Sequence, residues 1–139
     1  AEWEYAARGG VNHDPFLYPG SDDVAKVAIT AQTANGNGYA IVGTKKPNSI
    51  GLYDMGGNVY EWCWDVYKGY RRAGGLSMEK APSAPTRIIR GGDSLHGKAQ
   101  IRCTARTFSA PYLDFGAGNY DTSRNIGFRV VRSVMERGE

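Results

Sequence analysis

The fold is decided by residues 51–65, which read GLYDMGGNVYEWCWD. After the glycine-rich turn, the aromatic residues Tyr60, Trp62 and Trp64 alternate with charged or smaller ones. This period of two is the pattern of a β-strand. Because three large aromatic side chains would share one face, the pattern predicts that they are buried and anchor the core.

Outward from this strand, the whole chain has the size and composition of one globular domain. It has 139 residues, 41% of them hydrophobic and 22% charged. Nineteen glycines and six prolines interrupt the apolar runs and keep them short. The sequence therefore predicts many turns and little regular secondary structure.

The charge pattern argues against two classes of partner. The formal net charge is +3, and lysine and arginine are scattered along the chain. The sequence therefore has no basic stripe that would bind nucleic acid or a membrane surface. No apolar run is long enough for a transmembrane helix, so we expect no membrane insertion by this segment.

Other local patterns predict further elements. Residues 1–7 favour a helix, which Gly9 and Gly10 would end. Because this helix begins without an N-cap, we expect the chain to be the C-terminal part of a longer one. Short strands are predicted at 39–42, 88–90, 101–106 and 126–132. Cys63 and Cys103 form no metal or redox motif, and free buried thiols are the favoured interpretation.

Two segments, 93–100 and 107–123, have neither helical nor strand period. The second mixes aromatic residues with serine, asparagine, aspartate and glycine. Long irregular segments in small domains are usually functional or disordered, and the aromatic content argues against disorder. We predict a ligand-contacting surface. Its residues are Ser94, Leu95, His96, Phe108, Ser109, Tyr112, Leu113, Asp114, Phe115, Asn119, Tyr120 and Asp121.

Two carboxylates in the strand of residues 60–65 suggest a second site. Glu61 and Asp65 lie on the face opposite the aromatic residues, next to a Gly-Gly-Asn turn. Oxygen ligands of this kind hold hard cations. The alternative, which we favour, is that they bind backbone amides or arginine side chains.

Six blocks, in order, resemble the formylglycine-generating-enzyme (sulfatase-modifying factor) family. They are residues 1–10, 47–48 together with 51–55, 57–62, 89–92, 102–106 and 125–130. The resemblance implies an α+β, C-type-lectin-like fold over residues 1–139. Such a fold has a small twisted antiparallel sheet, one or two helices and long irregular loops. It also implies a calcium ion at the turn of residues 57–61, with Asn58 and Glu61 as ligands.

The chain departs from the family at its catalytic centre. The family's enzymes bind copper through two cysteines downstream of the Arg-Gly-Gly block and oxidise a substrate cysteine. The corresponding places here fall near His96 and Ile101, and Cys103 stands alone. One thiolate does not make a two-thiolate copper site. We therefore expect no cysteine-based oxidase activity and no required cofactor.

A second branch of the same fold resembles the chain more closely: the variable proteins of diversity-generating retroelements. Their binding loops are rewritten at adenines, typically in AAC codons, which never yield Lys, Glu, Gln, Met or Trp. All twenty of these residues lie outside 101–134, and every residue of 107–123 is reachable from AAC. This favours a variable region at about 93–123.

Together these patterns favour a non-catalytic binding module with a sequence-variable surface. The mixture of aromatic and small polar residues is typical of adaptable binding surfaces. The resemblance implies a protein or other macromolecule as the variable ligand, a monomeric domain, and a location at the cell surface or outside the cell. The alternatives are a formylglycine-generating-type oxidase acting on a sulfur-containing substrate, and a structural accessory domain.

Overall fold

The computed structural model describes residues 1–34, 38–67, 86–109 and 125–131. The described residues contain two α-helices, α1 (Glu2–Ala7) and α2 (Val24–Val27). Two 3-10 helices, Gly10–Asn12 and Lys98–Ile101, accompany them. No helix in these ranges is both long and apolar enough to cross a membrane.

Within the described ranges, four strands form one small sheet in the order β3-β2-β1-β4. They are β1 (Tyr60–Val66), β2 (Arg87–Arg90), β3 (Thr107–Ser109) and β4 (Ile126–Gly127). The β1–β2 and β2–β3 pairs are antiparallel, whereas β4 runs parallel to β1. The α+β fold class is confirmed, but the sheet is mixed where a wholly antiparallel one was expected.

Local chemistry explains where the helices lie. The predicted helix at residues 1–7 is confirmed as α1, and Gly9 follows it with a φ of 77° in the left-handed region that favours glycine. Helix α2 begins at Asp23, whose side chain accepts a hydrogen bond from the amide of Ala25 at 3.1 Å.

Two small buried clusters make up much of the core. Tyr18, Val27, Ala28 and Ile101 form the first, with Val24 packed against them. The second consists of Ala7, Met55 and Cys103, flanked by Trp3, Ala6 and Leu52. Helix α1 and the residues that follow Lys98–Ile101 therefore share one side of the domain.

The predicted burial of the aromatic face of β1 is wrong for Trp64. Tyr60 is buried and Trp62 half-buried, but Trp64 is 89% exposed, with its ring 4.9 Å from the guanidinium carbon of Arg87. The pairing of β1 with β2 shifts register between Trp62 and Val66, which pairs with Arg87, so Trp64 lies in an irregular part of the strand. Its side chains no longer alternate between core and solvent.

The end of the described chain also differs from the expected strand at 126–132. Strand β4 ends at Gly127, and both Phe128 and Val130 are exposed, where burial was expected. Among the described residues, no strand pairs with the chain beyond Gly127.

Two other predicted strands are wrong. Residues 39–42 are not a strand, because the side-chain amide of Asn58 takes both backbone groups of Ala40, at 3.1 and 3.2 Å. Residues 101–106 are the end of a 3-10 helix followed by turns. The third strand of the sheet is instead Thr107–Ser109, which the sequence placed in an irregular segment.

Candidate functional site

The candidate site begins where β2 ends, at Gly91 and Gly92. Both have a left-handed backbone, with φ of 90° and 71°. A Cβ on Gly92 would lie 2.9 Å from the carbonyl carbon of Gln100, closer than packing allows. Glycine therefore lets the chain turn sharply from the sheet and approach the Lys98–Ile101 helix.

Asp93 is the anchor of the turn that follows. It is fully buried, and its Oδ1 accepts hydrogen bonds from the amides of Leu95 at 3.1 Å and His96 at 2.8 Å. The same oxygen lies 2.7 Å from Nδ1 of His96, and Oδ2 accepts a bond from the Asn125 amide. Asp93 thus fixes the backbone of the turn and joins it to the residue before β4.

Five residues of the predicted ligand surface lie in the described ranges. Leu95 is 65% exposed and His96 is exposed, whereas Phe108 and Ser109 lie on the edge strand β3. Ser94 corrects the prediction, because it is only 1% exposed and its hydroxyl donates to the carbonyl of Gly38. Seven predicted residues lie outside the described ranges: Tyr112, Leu113, Asp114, Phe115, Asn119, Tyr120 and Asp121.

Phe108 has a structural contact as well as an exposed edge. Its ring stacks on that of Tyr67 with centroids 4.1 Å apart and planes 19° apart, and 38% of the residue is exposed. Stacked aromatic pairs of this kind contribute about 0.5–1.5 kcal/mol beyond their buried area. Phe108 therefore supports the edge of the sheet as well as facing solvent.

An open cavity of about 510 Å³ lies beside this turn. It is bounded by β1, the Asp93 turn, the Lys98–Ile101 helix and the chain leading to β3. The lining residues are Tyr60, His96, Ala99, Gln100, Arg102, Thr104, Ala105, Arg106 and Thr107. Of the predicted surface residues, His96 is the one that lines the described part of this cavity.

Tyr60 supports the imidazole at the edge of the cavity. Its ring meets that of His96 edge to face, with centroids 6.0 Å apart and an interplanar angle of 61°. Burial, together with the nearby Asp93 carboxylate, raises the pKa of Tyr60 to about 12. The phenol is therefore neutral at physiological pH, and it packs as a polar-tipped aromatic ring.

Arg90 holds the cavity wall in place from within the core. Its guanidinium donates to the carbonyls of Cys103 at 2.8 Å, Thr104 at 3.2 Å and Ala105. It also forms an ion pair with Glu4 at 2.8 Å, and its side chain is only 4% exposed. Because three consecutive carbonyls bind one guanidinium, residues 103–105 curve around it instead of joining the sheet.

Sequence reasoning missed several of these residues. Arg90 was taken as the end of a strand, and Asp93 as part of the variable region. Arg90 could have been noticed because it is a charged residue directly after Ile88-Ile89, in a strand that is expected to be buried. Charged residues are rarely buried unless they are paired. For Asp93 the signal is an aspartate directly after a Gly-Gly turn, where its side chain can bind backbone amides two and three residues on.

The geometry does not fit a calcium ion at Asn58 and Glu61. Both polar atoms of the Asn58 side chain bind Ala40. The Glu61 carboxylate accepts from Arg129, with Oε1 as close as 2.6 Å, and from the indole nitrogen of Trp3 at 2.7 Å. For Glu61 this confirms the alternative in which the carboxylate binds an arginine.

We expect a calcium chelator to leave the melting temperature unchanged, because Arg129 already neutralises Glu61. Thermal unfolding with excess EDTA, compared with excess calcium chloride, measures this. Ion binding to the native state alone would raise the melting temperature with calcium concentration. A calcium-dependent rise that Asn58→Ala abolishes would restore the ion to the turn.

The copper site of the resembling enzymes does not fit either. Of the two corresponding places, His96 is bound to Asp93, and Ile101 is apolar and fully buried. Cys63 and Cys103 are free cysteines, and burial raises the pKa of both thiols. Raised pKa values favour the protonated thiols over the thiolates that copper requires.

The mixed sheet and the two short helices of the described residues form an α+β domain, and its similarity to solved structures of the C-type-lectin-like kind assigns it to that fold. The sulfatase-modifying factor enzyme 1-like domain matches residues 1–134. The chain belongs to this family, and the family resemblance seen in the sequence is confirmed.

The proteins with similar sequences are longer than this chain and differ in their described activities. Serine/threonine-protein kinase pkn1 of Chlamydia pneumoniae is 37% identical over 139 residues, which cover 96% of this chain and 20% of the kinase. The formylglycine-generating enzyme of Bos taurus is 31% identical over 148 residues, covering 94% of this chain and 37% of the enzyme.

Among solved structures, Treponema denticola variable protein 1 superimposes with a TM-score of 0.64 and 27% identity. The match covers 91% of this chain and 43% of that protein. The chain therefore spans less than half the length of each of these three proteins.

Proposed function

We propose that the chain is a non-catalytic ligand-binding module that displays a sequence-variable surface on a C-type-lectin-like scaffold. The observation that carries the proposal is the similarity to Treponema denticola variable protein 1 over 91% of the chain. The restricted residue set of 107–123 supports it independently, because every residue there is reachable from an AAC codon.

In the described part of the surface, some residues are exposed to solvent and other, buried residues hold the backbone in place. Leu95 and His96 are exposed, while their backbone amides are held by the buried Asp93. Arg90 fixes the adjoining wall through three carbonyls. A rigid support lowers the entropy lost when a surface binds its ligand, which favours affinity.

The proposal includes the kind of partner and its setting. The ligand is a protein or other macromolecule bound by a monomeric domain at the cell surface or outside the cell. Exposed apolar and aromatic side chains, among them Leu95 and Phe108, provide the contact area that protein ligands require.

The decisive test is genomic. We expect a near-duplicate of the coding sequence for residues 93–123 close to the gene, differing from it only where the copy has adenines. DNA sequencing of the source genome measures this directly. A complete genome without such a copy would contradict the variable-surface proposal.

A second candidate is an oxidase of the formylglycine-generating type acting on a sulfur-containing substrate. The 31% identity to the Bos taurus enzyme favours it. The misfit of the copper site argues against it, since Ile101 occupies one of the two places. A third reading, a structural accessory domain, also predicts no activity, and the genomic test separates it from the first.

We expect the purified chain to leave a cysteine-containing sulfatase-motif peptide unmodified in the presence of copper and oxygen, because the cysteine pair is missing. Mass spectrometry of the peptide measures conversion to formylglycine, and the Bos taurus enzyme serves as the positive control. More than one turnover per protein molecule would establish the oxidase instead.

A further inference from the structure

The open cavity beside the Asp93 turn has an unusual balance of charge. Its described lining includes the side chains of Arg102 and Arg106 but no aspartate or glutamate, and the ring of His96 lies against the buried Asp93 behind it. The remaining polar lining is neutral and consists of Tyr60, Gln100, Thr104 and Thr107. A cavity of about 510 Å³ with this lining favours a negatively charged group.

Arg102 is positioned to bind such a group. Its Nε donates to the carbonyl of Ala99 at 3.1 Å, which holds the guanidinium beside the Lys98–Ile101 helix. With the described residues, its two Nη groups form no other hydrogen bond, and the residue is exposed. A guanidinium held in this way retains donors for a planar or tetrahedral oxyanion.

The wall behind the cavity adds further positive charge. Glu4 lies within 3.5 Å of three arginines: Arg8 at 3.5 Å, Arg90 at 2.8 Å and Arg106 at 3.5 Å. Burial acts to raise the pKa of Glu4, but the three arginines outweigh it and lower the pKa. Glu4 thus draws three guanidinium groups together at this wall.

We propose that this cavity binds an oxyanion of the ligand, a carboxylate, sulfate or phosphate group, with Arg102 as the principal contact. The inference rests on the proposed binding function and names the chemistry of one contact. The cavity adjoins the exposed side chains of Leu95 and His96, so a ligand on that surface can place an acidic group in it.

Isothermal titration calorimetry with sodium acetate, sodium sulfate and sodium phosphate tests this, at an ionic strength kept constant with sodium chloride. We expect saturable binding of at least one anion. The anion that binds identifies the source: acetate points to acidic side chains of a protein, and sulfate or phosphate to an ester. No saturable binding of any of the three would overturn the proposal.

Variants locate the binding. We expect Arg102→Gln to weaken the affinity about tenfold or more, as the loss of a charge-assisted hydrogen bond does. Lys98→Gln and Lys46→Gln are the controls, because each removes a positive charge from an exposed residue outside the described lining. Lys98 is close to the cavity in the chain and Lys46 is not. Each control should change the affinity less than about twofold. An equal loss in Lys98→Gln and Arg102→Gln would overturn the proposal, as would an unchanged affinity in Arg102→Gln.

Arg102→Lys keeps the charge and provides a second variant if Arg102→Gln does not fold, as judged by thermal unfolding. Because a lysine ammonium lacks the planar fork of arginine, binding should weaken in this variant too. An affinity equal to that of the wild type would contradict the assigned contact.

The anion titration and the genomic test distinguish this inference from the proposed function. If no anion binds but the adenine-marked copy exists, this inference fails and the proposed function stands. If an anion binds and no copy exists, the site stands and the variable surface fails.

Discussion

Replacing Arg90 with alanine is expected to destabilise the domain by about 3–5 kcal/mol, the usual cost of removing one partner of a buried ion pair. The substitution removes the donor that binds the carbonyls of Cys103, Thr104 and Ala105. It also leaves the carboxylate of Glu4 only its longer ion pairs with Arg8 and Arg106. Urea denaturation followed by tryptophan fluorescence measures the change in unfolding free energy.

Arg102→Ala is the matched control for this variant. It removes an exposed arginine from the same stretch of chain, so its expected cost is within about 0.5 kcal/mol. Similar losses in both variants would show that the Arg90 contacts do not hold residues 103–105 in place.

The pH dependence provides a second measurement of the same cluster. The pKa of Glu4 lies below its ordinary value of 4.5 in the folded protein. The stability contributed by this shift is therefore present above pH 4.5 and is lost as the pH falls below it, through the folded pKa. In Arg90→Ala this acid-dependent part should shrink, because Arg90 is the strongest of the groups that lower the pKa.

Replacing Gly57 with alanine is expected to cost about 3 kcal/mol or more, since two penalties add. The φ of Gly57 is 73°, in the left-handed region that is strained for any residue with a Cβ. A Cβ there would also overlap the carbonyl oxygen of Ile29 and lie 2.8 Å from its backbone nitrogen. The parallel contact between Ile29 and Gly57 leaves no room for it.

Gly51→Ala separates the two penalties. Gly51 has a similar φ of 80°, but a Cβ there meets nothing within 4 Å. This control should cost only the backbone strain, roughly 1–2 kcal/mol. If the two variants have equal melting temperatures and equal unfolding free energies, the close packing of Gly57 against Ile29 contributes nothing.

The parts of the fold that the sequence predicted are those set by neighbouring residues. Helix α1 follows from the composition of residues 1–7 and the left-handed Gly9, and β2 follows from the apolar pair Ile88-Ile89. The positions of Leu95 and His96 on an exposed turn after Gly91-Gly92 were also predictable. In each case the deciding interaction spans a few residues.

The errors arise where a distant side chain replaces a strand. Asn58 binds the backbone of Ala40, 18 residues away, and so takes the place of a neighbouring strand there. Arg90 binds the carbonyls of residues 103–105 and prevents the strand predicted at 101–106. Neither partner is visible in a local pattern of apolar residues.

The candidate site was found only in part for a similar reason. A search for aromatic and small polar residues located His96 but passed over Arg102 and Arg106, which line the same cavity. Their scattered positions in the sequence indicated no basic cluster, and the chain has to fold before they meet.

The buried carboxylate of Asp93 fixes the backbone of its turn independently of the side chains that face solvent. It satisfies the backbone amides of Leu95 and His96, whichever side chains those two positions carry. A turn specified by its first residue keeps its shape when the following residues are exchanged. Exchanging the side chains of Leu95 and His96, which face solvent, should therefore leave the path of the backbone through this turn unchanged.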